Sequence, residues 1–158
     1  VVDNLTLSCR ISTAPGTYGT PIAGIWNYSS WLQLNDRIHY TVEKESFGDT
    51  AVTHQKQEVT SPFFEGSFTA FSKRANIQVP LNVYVNAATP AALNTYLDAL
   101  TNACDQPNFS VEFQDSDSDE YWDCTASDYT VSAPVELRHA RMALVKISLV
   151  RLPGVRRV

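Results

Sequence analysis

A chain of 158 residues, 44% hydrophobic and 18% charged, is long enough for one domain with a real core, and its composition excludes a disordered segment. No apolar run approaches the roughly 20 residues that a membrane-crossing helix needs, and Val1-Val2-Asp3-Asn4 opens no basic-then-apolar signal sequence. Net charge is −5 but unevenly placed: from Val135 onward Arg138, Arg141, Lys146, Arg151, Arg156 and Arg157 face one acid, Glu136, for +5, so the first 134 residues carry −10. Such polarity predicts surfaces of opposite sign suited to head-to-tail assembly; the plainer alternative is charge decorating the solvent face of strands.

Leu5, Leu7, Cys9 and Ile11 alternate with Thr6, Ser8 and Arg10, the pattern of a half-buried first strand. Thr13 to Pro21 is a loop punctuated by Pro15-Gly16. Ile25 to Leu34 carries Trp26, Tyr28 and Trp31, turns at Asn35-Asp36 and alternates again over Ile38–Val42, which predicts an aromatic-rich hairpin. Glu43 to Val59 is polar and reads as a long loop or an extended polar hairpin. Pro62 to Gly66 breaks the chain before Ser67–Phe71, a strand expected to pair with Ile77–Val85 across Ser72–Asn76. Pro80 in that partner lacks a ladder donor, so its nitrogen should face an edge or a bulge.

Residues 77–104 organise the chain. Ile77, Val79, Leu81, Val83 and Val85 share one strand face at period two. Thr89 is placed to cap a helix that starts at Pro90, where no N–H is lost. Leu93, Tyr96, Leu97, Leu100 and Cys104 then form one apolar stripe, and Asp105-Gln106-Pro107 ends it. Phe109, Val111 and Phe113 pair with Tyr121–Thr125 around the acidic tip Asp115, Asp117, Asp119 and Glu120. Tyr129-Val131, Pro134 and a strand with Ala143, Val145, Ile147 and Leu149 on one face complete the chain. The sum is an α+β, mainly β fold: roughly eight strands in a sandwich or small barrel, with one flanking helix over about residues 90–104, as a single domain spanning 1–158.

Chemical motifs are sparse. An EF-hand counted from Asp115 would put Asp117 and Asp119 at positions 3 and 5, but Glu120 stands where glycine belongs and Ala126 where the bidentate acid belongs. The tip therefore reads as a solvated turn and no metal site is expected. Cys9, Cys104 and Cys124 have no C-x-x-C spacing, which predicts buried thiols in a reducing compartment; one disulfide plus a free thiol is the alternative. His39, His54 and His139 belong to no nucleophile or metalloprotease pattern, and no glycine-rich phosphate cradle occurs. The expectation is no catalytic residue, no cofactor and no enzyme. Trp26, Trp31 and Trp122, with Tyr28, Tyr40 and Tyr121, suit a core or a subunit interface; the alternative is a carbohydrate-binding β-sandwich that uses exposed tryptophans.

Ser61-Pro62-Phe63-Phe64-Glu65-Gly66 before a strand, Ala91-Ala92-Leu93 through Leu100, and Phe109-Ser110-Val111 follow one another in a suggestive order. Tyr121 to Tyr129 and Ala140 to Leu149 continue it. Together these segments resemble small minor tail proteins of long, non-contractile-tailed phages of actinobacteria, over roughly residues 61–153. The resemblance implies a tail-tube-like fold, shared by tube and distal-tail ring proteins, and a structural subunit of a homo-oligomeric ring, commonly sixfold. Its partners would be copies of itself, adjacent tail proteins, and DNA passing through the channel without specific binding. No membrane is implied, and the setting is the tail of a virion assembled in the host cytoplasm. Under that reading Asp115, Asp117, Asp119 and Glu120 are candidates to face the channel, where acidic groups would let DNA slide. Arg138, Arg141, Arg156 and Arg157 are candidates for the contacts between subunits.

Overall fold

The computed structural model describes residues 8–19, 26–43, 46, 52–63, 65–114, 119–134, 139, 141–153 and 156–157. In chain order these form β1 (Ser8–Ser12), β2 (Thr17–Tyr18), β3 (Trp26–Asn27), β4 (Trp31–Gln33), β5 (Tyr40–Val42), β6 (His54–Thr60) and β7 (Ser67–Arg74). There follow β8 (Ile77–Asn86), α1 (Pro90–Asp105), β9 (Asn108–Gln114), β10 (Asp119–Ser132), β11 (Met142–Arg151) and β12 (Arg156–Arg157). The main sheet runs β4-β1-β9-β10-β11-β8-β5, antiparallel throughout, with β12 beside β10; β2-β3 and β6-β7 are separate two-stranded ribbons. The fold is thus α+β, mainly β, and the seven-strand sheet curls into a half-barrel.

One face of that sheet is apolar at period two, and curling buries it. Ile77, Val79, Leu81, Val83 and Val85 of β8 are buried, as are Ala143, Val145, Ile147 and Leu149 of β11, Cys9 and Ile11 of β1, and Phe109, Val111 and Phe113 of β9. Helix α1 closes the concave side with Leu93, Leu100, Ala103 and Cys104 buried and Tyr96 and Leu97 packed beside them. Each such side chain removed from water contributes about 1.5–3 kcal/mol before the cost of ordering the chain. Thr89 Oγ1 accepts the Ala92 N–H at 3.1 Å, with Pro90 in the first turn, as the sequence predicts. At the other end Gln106 turns extended, and its Nε2 donates to the Ala103 carbonyl at 3.0 Å and the Ser12 carbonyl at 2.7 Å, fastening α1 to β1.

The expected β9–β10 hairpin forms, with Trp122 opposite Val111 and Cys124 opposite Phe109. Pro80 also meets expectation. The Asn86 amide donates to the His39 carbonyl and the Asn82 amide to Ser46 Oγ, so the even-numbered nitrogens of β8 point towards β5. Strand β5 ends at Val42 opposite Val83, and Pro80 therefore aims its missing donor into the open part of that edge.

Two pairings differ from the sequence reading. The expected 25–42 hairpin is not formed by its described residues, 26–42: β3 pairs with β2, β4 with β1, and β5 with β8 at the far end of the sheet. The turn between them is a wrap, in which Asp36 Oδ1 accepts the amides of Ile38, His39 and Tyr40, each at 2.9 Å. In a flat sheet, the two outer strands of seven, six spacings apart, would lie about 29 Å from one another. Seven residue steps, from Gln33 to Tyr40, reach at most about 25 Å; only a curled sheet lets this segment join both edges, and Leu34 is fully buried on the way. The second difference is β7, which pairs with β6 and not with β8. Both sides of β8 are taken, by a ten-residue ladder with β11 and by β5. The end of the Glu43–Val59 stretch is consequently neither loop nor half of a hairpin within it: His54–Thr60 is a strand whose partner, β7, lies beyond Pro62–Gly66. Leu5 and Leu7 lie outside the described residues.

Candidate assembly surfaces

The β6–β7 ribbon stands apart from the core. Every residue of both strands is exposed, and the ribbon is tied to the body through Ala75-Asn76, the Ala75 amide donating to the Thr53 carbonyl at 2.8 Å. Its register skips one residue: Gln57 lies opposite Phe71 and Glu58 opposite Thr69, so Ala70 is a bulge. Gln57 and Val59 share a face, Val59 is opposite Phe68, and the bulge therefore turns Phe71 to the side of Phe68 despite their odd spacing. Val59 (39% exposed), Phe68 (51%) and Phe71 (52%) make one apolar face. Lys73, opposite Gln55, is on the same side, while His54, Lys56, Glu58, Thr69, Ser72 and Arg74 take the other. Beyond them Phe63 stands at the turn, 92% exposed. This surface is missed by a sequence reading that assigns β7 to β8; the signal available was two similar runs flanking Pro62–Gly66.

A second exposed apolar feature lies on the body. Pro90, Leu93, Asn94 and Leu97 of α1, with Val131, Ala133 and Arg141, line a groove of about 400 Å³. Arg141 sits at a left-handed φ of 56°, and its guanidinium donates to the Ala88 carbonyl, holding the turn before α1. Asp98, exposed and one helical turn beyond Asn94, stands at the rim.

The outer face of β4-β1-β9-β10 carries a cluster that no local signal announces. Arg10 pairs with Glu112 directly across β1 and β9, and Glu112 is buried while Arg10 is partly exposed. The Arg10 guanidinium lies 4.4 Å from the centre of the Trp31 ring, which meets Tyr28 at 6.1 Å and Tyr121 at 6.2 Å. Gly16 is required beneath it, since a Cβ there would fall 2.6 Å from the Tyr28 ring. Trp122 packs on Phe113 at 4.5 Å with Arg151 over it at 4.8 Å. Trp31 and Trp122 are therefore packing residues. Trp26, 41% exposed, leans on Tyr18 at an interplanar angle of 58°, which offers no flat stacking platform.

Of the acidic tip, Asp115 and Asp117 lie outside the described residues. Asp119 begins β10 opposite Gln114, and Glu120 lies between Phe113 on β9 and Arg157 on β12. Arg156 is opposite Tyr121, and Arg138 lies outside the described residues. The fold thus brings Glu120 and the Arg156–Arg157 segment into adjacent strands of one chain.

The three cysteines are free and buried. Burial raises all three thiols, Cys104 to about 12, so they are inert as nucleophiles. The histidines fall on three different segments: His39 stacks on Tyr96 with ring centres 4.3 Å apart, while His54 and His139 are exposed. Among the described residues no group of three or more metal-ligating side chains converges, and no helix is long and apolar enough to cross a membrane.

No protein-family model matches this chain, and no curated protein matches it. Among solved structures, it is similar to a chain of the phage P2 baseplate in its activated conformation with calcium. The TM-score is 0.62 at 9% sequence identity, over 94% of this chain and 45% of that one. The present chain therefore spans under half the length of that neighbour, and the likeness is one of fold.

Proposed function

We propose that this chain is a non-enzymatic structural subunit of a phage tail, in the tube, distal-tail or another minor tail ring, which assembles with copies of itself around the DNA channel. The β6–β7 ribbon carries this reading. A lone two-stranded hairpin is marginal in water, and one with Val59, Phe68 and Phe71 on a single face is made to be covered by a neighbour. The fold likeness to a phage baseplate chain supports the same setting, a virion. In this proposal a sixfold ring meets adjacent tail proteins above and below. DNA passes without specific contact, because acidic groups such as Glu120 and Asp119 repel phosphate, and no membrane is involved.

The decisive experiment is mass spectrometry of purified virions together with electron microscopy of the isolated protein. The expected results are peptides of this chain in the virion and ring-shaped particles in solution. A monodisperse monomer that never enters virions would sink the proposal.

A further inference from the structure

We propose that the apolar face of the β6–β7 ribbon docks into the α1–β10 groove of a second copy of this chain. The inference rests on the self-assembling reading above and gives it a specific contact. Ribbon and groove have matching chemistry: Val59, Phe68 and Phe71 project from one, and Pro90, Leu93, Leu97, Val131 and Ala133 line the other. A ribbon presents its side chains in a single layer, which suits an open groove of about 400 Å³ lined along one helix face.

Charge selects the partner. On the docking face the ribbon carries one charge, Lys73, and α1 offers Asp98 beside the groove, whose one basic lining residue, Arg141, is engaged by the Ala88 carbonyl. Lys73 lies on the apolar face itself and Asp98 at the groove's rim, and neither side chain has an ion-pair partner among the described residues. Seating Phe71 over Leu97 would bring Lys73 towards Asp98. Within one chain Ala75-Asn76 leads straight into β8, and both strands of the ribbon are exposed along their whole length. The contact is therefore heterologous, joining two different surfaces, and repeats from copy to copy until it closes a ring.

The test places a photoreactive benzophenone analogue of phenylalanine at position 71 in the full chain, mixed with isotopically heavy chain before irradiation. The expected products are light–heavy crosslinks to residues 90–97 or 131–133. Crosslinks confined to one chain, to residues 135–138, or to another surface of the partner would overturn the proposal. So would a chain that stays monomeric at the highest concentration reached.

Lys73→Glu and Asp98→Lys should each weaken self-association about fivefold, and the double variant should recover it; two independent losses that simply multiply would refute the contact. The two proposals fail separately. Rings whose crosslinks map elsewhere leave the tail reading intact and remove this contact. The expected crosslinks in a protein absent from virions keep the contact and remove the tail reading.

Discussion

The body and the β6–β7 ribbon are built from the same kind of strand and hold together for different reasons. In β8, alternation puts Val79, Leu81, Val83 and Val85 at zero exposure beneath α1, so the strand is fixed by what it buries. In β6 and β7 nothing is buried; the ribbon is held by its ladder and by its attachment at Ala75-Asn76. A strand needs a partner for its backbone and a cover for its apolar face; the described residues supply both in the body, while Val59, Phe68 and Phe71 of the ribbon stay 39–52% exposed. The body is the scaffold, and in the proposed assembly the ribbon is where a neighbour docks.

The contrast can be broken by substitution. Leu100→Ala removes a fully buried side chain and should cost about 2–5 kcal/mol in the urea midpoint; a change near zero would mean that α1 does not cap the core. Arg10→Ala leaves the Glu112 carboxylate buried without its guanidinium. About 3 kcal/mol of lost stability is expected, towards the low end of the range for broken buried pairs because Arg10 is partly exposed, together with altered Trp31 fluorescence.

Asp36→Ala removes the acceptor of three amides and should cost about 1–2 kcal/mol. Burial pushes the Asp36 carboxyl up, but the amides of Tyr40, His39 and Ile38 outweigh it and hold it below its ordinary value of 3.8. The folded form thus binds the proton less readily than the unfolded one. Its contribution is fully present above that ordinary value and is lost as pH falls through the lower folded one. The acid limb of the unfolding profile should flatten in the variant, and an unchanged profile would remove Asp36 from the wrap.

Thr89→Ala should cost about 1 kcal/mol as a lost helix cap. The smallest change in monomer stability is expected for Phe71→Ser, within about 0.5 kcal/mol, even though it should weaken self-association about tenfold. If Phe71→Ser instead destabilised the monomer as Leu100→Ala does, the ribbon would be packed on its own body and the contrast would fail.

Legibility in the sequence follows how local the cause is. The α1 cap at Thr89, its stripe and its end at Pro107 were readable because each depends on residues within a turn or two. The same holds for the buried faces of β8 and β11 and for the β9–β10 hairpin, whose alternation is long enough to fix both face and register. The 25–42 segment was not readable, because β3, β4 and β5 are two or three residues long and so short a run fits many partners. The Arg10–Glu112 pair joins positions 102 apart in sequence, and nothing near either residue announces the other.

By itself the sequence determined which residues face inward, where the helix starts and stops, and that no recognised catalytic motif is present, since hydrophobic period and capping chemistry are written residue by residue. Only the tertiary structure decided which strands are neighbours. The ladders to β11 and β5 occupy both sides of β8, and the strand next to it in sequence, β7, turns away with β6. Strand pairing is a competition among all edges at once, and its loser here, with a bulge at Ala70 that gathers Val59, Phe68 and Phe71 on one side, is the surface on which the proposed assembly depends.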